Sequence, residues 1–149
     1  MSPGSVKSPP EVADRLHSAA VRLLRRLRRG DADGGLTGPQ ASALSVLVFG
    51  GPMNLGRLAA AEQVKPPTMS RLAREMEAAG LARRRPDPDD RRGVLIEATE
   101  KGRALFDRAR ERRLARLAAA MAALPADQRA LLDRAAGLML DIAQGSALD

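Results

Sequence analysis

Pro66-Pro67-Thr68-Met69-Ser70-Arg71-Leu72, running on to Gly80 and then through Leu81–Arg85, a charged turn and Val94–Ala98, decides how this chain folds. The two prolines suit the first turn of a helix, where their missing N–H groups cost nothing. Met69, Leu72 and Met76 then recur at helical spacing as an inward stripe, Arg71 and Arg74 fall on the opposite side, and Gly80 is placed to end the helix. Immediately upstream, Asn54 can cap a short helix from Leu55 to Glu62, whose Leu58, Ala59 and Ala60 permit close packing. Two short helices joined by a tight turn predict a helix-turn-helix. After Gly80 the period changes. Leu81–Arg85 and Val94–Ala98 read as strands, and Pro86-Asp87-Pro88-Asp89-Asp90-Arg91-Arg92-Gly93 between them is made of turn formers and charges. A helix-turn-helix followed by such a hairpin predicts a winged helix, with the hairpin as the wing.

Outward from that centre the pattern is helical. Val12, Leu16, Ala19, Ala20, Leu23 and Leu27 form a stripe between Glu11 and Arg29, closed by Gly30, Gly34 and Gly35. Thr37 caps a helix through Phe49 with Pro39 in its first turn, and Gly50-Gly51-Pro52 stops it. Thr99 opens a long helix to about Leu124 with Leu114, Leu117, Met121 and Leu124 in a packing seam. Beyond Pro125 a last helix, from about Ala126 to Gln144, presents Leu131, Ala135, Leu138 and Ile142. The expected fold class is therefore mainly α with a small β-hairpin wing. Residues 1–10 are expected to be a disordered tail, 36–98 the winged helix, and 11–35 with 99–149 a helical region. That helical region carries more apolar surface than the small lobe needs, and the excess predicts a symmetric homodimer.

Composition narrows the function. The chain has 149 residues and a formal net charge of +7. It has no Cys, which removes thiol redox chemistry, Cys nucleophiles and thiolate metal sites. A single His and no Tyr or Trp remove most acid–base chemistry and aromatic cages. The one arrangement that could serve an enzyme, Asp14 with His17 one helical turn later, has no second ligand motif, so no catalytic residue, metal or cofactor is expected. No apolar run is long enough for a membrane span and no signal peptide is evident, so a cytoplasmic protein is expected. The basic excess points to a polyanion. It is patchy, concentrated before Gly30 and in the first half of the long helix, while the C-terminal segment is mildly acidic.

The order of these elements resembles the MarR family of bacterial transcription regulators over roughly residues 11–144. Four pieces carry the resemblance: Leu36-Thr37-x-x-Gln40-x-x-x-Leu44-x-x-Leu47; Pro66–Leu72 followed by Met76-Glu77-Ala78-Ala79-Gly80-Leu81; Asp90-Arg91-Arg92-Gly93-Val94-Leu95-Ile96; and Thr99-Glu100-Lys101-Gly102. It departs at Ala98, where the family usually has Leu. The resemblance implies a homodimeric, sequence-specific regulator of double-stranded DNA, most simply a repressor, in some members released by a small lipophilic effector. The alternative class is a dimeric winged-helix module that binds DNA without sequence preference or recruits a protein.

On such a lobe the N-terminus of the second helix, Pro67 and Thr68, suits a phosphate or a major-groove edge, because free N–H groups and the helix dipole favour anions. Ser70 is short enough to reach the duplex, and Arg71 and Arg74, three apart, share a face and can read guanine or clamp the backbone. Arg57 on the preceding helix is a phosphate candidate. Alternation on the first wing strand puts Arg84 opposite Arg83 and Arg85, so the three cannot all face one duplex; Arg84 is assigned to the DNA. By the resemblance, Arg92 enters the minor groove, held by an ion pair from Asp90, and Arg91 contacts phosphate. The acidic Asp87, Asp89 and Asp90 imply that only part of the wing touches DNA. Also by the resemblance, an effector pocket would include His17 and Phe49.

Overall fold

A computed structural model of the chain describes residues 7–29 and 34–145. The order is α1 (Pro9–Arg28), α2 (Gly38–Gly50), β1 (Met53–Asn54), α3 (Leu55–Ala61), α4 (Pro66–Ala78), β2 (Ala82–Pro86), β3 (Val94–Ala98), α5 (Glu100–Ala122) and α6 (Ala126–Gln144). The chain forms two compact units, one through Arg112 and one from Arg113 onward.

In the first unit the core gathers where α2, α3 and α4 meet the sheet. Leu36, Leu44, Leu47, Leu58, Met69, Met76, Leu81 and Ile96 are completely enclosed, each stabilising by about 1.5–3 kcal/mol relative to exposure. Ala41, Ala43, Ala59 and Ala73 fill the narrow gaps between them. Phe106 of α5 is also buried, and Phe49 stands edge-on to it with ring centroids 5.8 Å apart. The sheet is antiparallel in the order β1-β3-β2, with Met53 opposite Ile96 and Arg84 opposite Ile96 on the other side. The two-residue β1 was not expected from the sequence. At Ala98 the structure sets one alanine across from another, Ala82, both buried.

Local chemistry fixes the helix ends. Thr37 Oγ1 accepts from the Gln40 N–H while Gln40 Oε1 accepts from the Thr37 N–H, a reciprocal capping box. Asn54 Oδ1 accepts from the Arg57 N–H at 2.8 Å. Helix α1 starts at Pro9, two residues before the expected Glu11, because the Glu11 carboxylate reaches back to both the N–H and the hydroxyl of Ser8. Met1–Val6 of the expected tail lie outside the described residues, as does Gly30.

The exit from α4 is tied to the start of α5. Gly80 takes a left-handed φ of 72°, and Thr99 Oγ1 donates to its carbonyl at 2.6 Å. The Thr99 N–H donates to Leu81 O and Lys101 Nζ to Ala79 O. Gly102 packs so closely that a Cβ there would overlap the Leu81 carbonyl.

Two expected stripes are not buried. Among the described residues no side chain of α1 is buried, and Val12, Leu16, Val21, Leu23 and Leu24 stand exposed. In the second unit α6 likewise buries nothing and exposes Leu131, Leu132, Leu138, Met139, Leu140 and Ile142. The spacing was right for an apolar face; its cover is not supplied by the described residues of one chain.

Candidate nucleic-acid interface

The exposed side of α4 carries Pro67, Thr68, Arg71 and Arg74, while Met69, Ala73 and Met76 point into the core and Ser70 is half-buried at the edge. The helix starts differently from expectation. Pro66 and Pro67 have no N–H, and the Thr68 and Met69 N–H groups already donate to Lys65 O at 3.0 and 3.1 Å. None of these four residues offers a backbone donor, so an anion at this end must be held by side chains and the helix dipole. Lys65, the N-cap, is exposed there, and sequence reasoning passed it over because it precedes the prolines that mark the helix.

Charge pairing sorts the arginines. Arg71 lies 4.0 Å from Glu75 on the same helix, both exposed, a pairing worth little in water. Arg57, Arg74, Arg91 and Arg92 make no ion pair among the described residues. The run Arg83-Arg84-Arg85 is fully engaged. Glu97 of β3 is gripped from both sides, by Arg83 Nε at 2.6 Å and Arg85 Nε at 3.2 Å. Arg84, on the other face of the strand, donates from Nε to both oxygens of Glu77 on α4, at 3.1 and 3.0 Å. Glu77 and Glu97 were not singled out in the sequence.

In the wing the acidic residues build the turn. Asp87 Oδ1 accepts from the Asp89 N–H, and the Asp87 N–H donates to Gly93 O. Asp90 Oδ1 accepts from the backbone N–H of Arg92 at 3.0 Å. This replaces the expected Asp90–Arg92 ion pair: one carboxylate oxygen holds the main chain two residues away, and the Arg92 guanidinium has no ion pair among the described residues. Gly93 fits because any Cβ would press on the Cβ atoms of Asp87 and Asp90.

The two expected effector residues both stand at the surface. Phe49 is 71% exposed, and His17 is exposed on α1. Two cavities open away from them. One of about 400 Å³ is lined by Val21, Leu24, Arg25, Arg28 and Arg29 of α1. Another of about 370 Å³ lies beside α4, with Val64, Met69 and Leu72 supplying apolar wall and Thr68 and Arg71 at its edge. Among the described residues there is no cluster of side chains suited to a metal ion, and no helix is long and apolar enough to cross a membrane.

A helix-turn-helix whose second helix presents an open basic face, beside a hairpin tipped with exposed arginines, defines a winged-helix DNA-binding protein. The chain belongs to the MarR family, whose model matches residues 34–93. It is 37% identical over 139 residues to an HTH-type transcriptional regulator of Mycobacterium bovis, covering 93% of this chain and 97% of the relative. Among solved structures it is similar to RV1404 from Mycobacterium tuberculosis, at a TM-score of 0.79 and 26% identity over 96% of this chain and 99% of that one. It also shares its fold with a mutant of MarR from Escherichia coli complexed with operator DNA, at a TM-score of 0.63 and 21% identity over 87% and 94% of the two chains.

Proposed function

We propose that this chain is a homodimeric repressor that acts in the cytoplasm and reads a pseudo-palindromic operator in double-stranded DNA. The observation that carries the reading is the partition of charge. The cations of the sheet are mated to Glu77 and Glu97, whereas Arg57 and Arg74 near or on the recognition helix and Arg91 and Arg92 at the wing tip are left open among the described residues. In this reading Pro67, Thr68, Ser70, Arg71 and Arg74 enter or border the major groove, Arg57 and Arg91 hold phosphates, and Arg92 lies in the minor groove with its backbone set by Asp90. That a protein of this fold, the Escherichia coli MarR mutant, is complexed with operator DNA supports DNA as the partner.

Residues 36–98 form the DNA-reading lobe, and 11–35 with 99–149 form the dimerisation region. The uncovered apolar faces of α1 and of α6 support a second copy as their cover. Two lobes related by a two-fold axis read half-sites about 10 bp apart, and a dimer seated there excludes polymerase. Selection of bound sequences from a randomised DNA pool tests the reading: a palindromic motif with a discrete footprint is expected. Equal affinity for shuffled DNA would instead favour a module without sequence preference. Release by a small lipophilic effector is best supported by the cavity beside α4, because an occupant there abuts Thr68 and Arg71.

A further inference from the structure

We propose that Glu77 and Arg84 are positioning residues: their ion pair is a strut that holds the wing at a fixed reach from the recognition helix. The inference rests on the DNA-binding reading above and reassigns Arg84 from DNA contact to support.

Glu77 sits in the last turn of α4, three residues after Arg74 and at the opposite end of the helix from Pro67 and Thr68. Arg84 lies at the centre of β2, in register with Ile96 of β3. Its Nε donates to both carboxylate oxygens of Glu77, and the pair is partly shielded, the side chains being 44% and 28% exposed. On the opposite face of the same strand, Arg83 and Arg85 hold Glu97 and lock β2 to β3. The two sets of ion pairs thus connect helix to first strand and first strand to second. Beyond them the hairpin runs out to Arg91 and Arg92. A lobe that engages the major groove with a helix and the flanking groove with a wing gains when the distance between the two is set before binding.

The sign of one substitution separates this role from simple electrostatics. A carboxylate close to a DNA-facing surface repels phosphate. If Glu77 did nothing but carry that charge, Glu77→Gln would tighten binding and free Arg84 for the duplex. If Glu77 is half of the strut, the same change weakens binding although it removes a repulsive charge.

The test uses the full-length protein and a labelled duplex carrying the site enriched from the randomised pool, titrated at several salt concentrations. Glu77→Gln and Arg84→Gln are each expected to weaken binding about threefold to tenfold, and the double variant no more than the weaker single, as for partners in one interaction. The slope of log affinity against log salt is expected to shift to the same extent in the two single variants, because both release the wing through the loss of one interaction. Hydroxyl-radical footprints should lose protection at the flanks reached by the wing and keep it at the half-site centres. The exchanged variant, Glu77→Arg with Arg84→Glu, should recover most of the affinity. Tighter or unchanged binding by Glu77→Gln overturns the proposal. So does a slope about 1.8 flatter in Arg84→Gln than in Glu77→Gln, the signature of two direct phosphate contacts per dimer lost with the arginine. Should the single variants melt early, the exchanged variant decides: recovery upholds the strut and no recovery refutes it. A wild-type protein with no discrete footprint removes the function reading itself, an outcome separate from any of these.

Discussion

Replacing Arg92 by Ala probes the wing with a magnitude that follows from the charge pairing. The side chain is exposed and has no ion pair among the described residues, while the turn is held by bonds among Asp90, Asp87, Gly93 and the backbone that do not involve the guanidinium. Its removal should therefore leave the melting temperature where it is. On DNA the effect is large. Arg57, Arg74, Arg91 and Arg92, without an ion pair among the described residues, are four arginines per protomer, eight per dimer, and at ~0.9 each they contribute about −7 to the slope of log affinity against log salt. Lys65, if it reaches phosphate, steepens this to about −9. Arg92→Ala removes two charges per dimer and should flatten the slope by about 1.8, whether or not Lys65 takes part. Between about 50 and about 200 mM salt the four-arginine dimer loses affinity about 10⁴-fold, and the variant about 10³-fold. Fluorescence anisotropy on duplexes with A·T-rich and G·C-rich flanks reads both the slope and the loss of A·T preference expected of a minor-groove arginine. An unchanged slope with unchanged flank preference would refute the placement of Arg92 in the groove.

Leu138 on α6 is 64% exposed in the single chain, so Leu138→Glu should alter the stability of that chain by no more than about 0.5 kcal/mol, yet shift the dimer to monomer in light scattering and weaken operator binding. Gly102→Ala normally gains helix propensity, about 1 kcal/mol. Here the new Cβ meets the Leu81 carbonyl and Leu44, and denaturant unfolding should report a loss of about 1–3 kcal/mol. The Glu11 carboxyl is held below the usual range by the Ser8 hydroxyl and then the Ser8 N–H. Because its folded value is the lower one, the cap's contribution is present above the ordinary carboxylate pKa and fades as pH falls through the lowered value. NMR titration should find Glu11 protonating at lower pH than an unpaired Glu, with the first turn of α1 loosening as it does.

Features set by near neighbours in the chain were legible from the sequence. The caps Thr37 and Asn54, the prolines opening α4 and the whole extent of α6 follow from residues within one turn of each boundary. Strand β1 was not legible, since Met53-Asn54 has no pattern of its own and exists only through pairing with Ile96 and Leu95 some forty residues on. The same distinction governs the candidate site. That Arg71 and Arg74 face outward is a matter of helical period. That Arg84 is bound to Glu77, and Arg83 and Arg85 to Glu97, depends on how the strand passes the helix and its neighbour. Asp90 misled for another reason: a short carboxylate two residues before an N–H closes an Asx turn more readily than it reaches a long guanidinium.

The double proline at the head of α4 bears on how such a regulator changes its target. A ring of bare main-chain amides grips any phosphate and survives most substitutions, because every residue supplies the same donor. Here that generic hold is missing from Pro66 to Met69, and in the docking proposed above contact at this end is left to the side chains of Lys65 and Thr68. Point changes at those two positions can then raise, lower or redirect the grip without disturbing the backbone that carries them. The end of the helix is thereby free to drift toward new operators while the fold stays as it is.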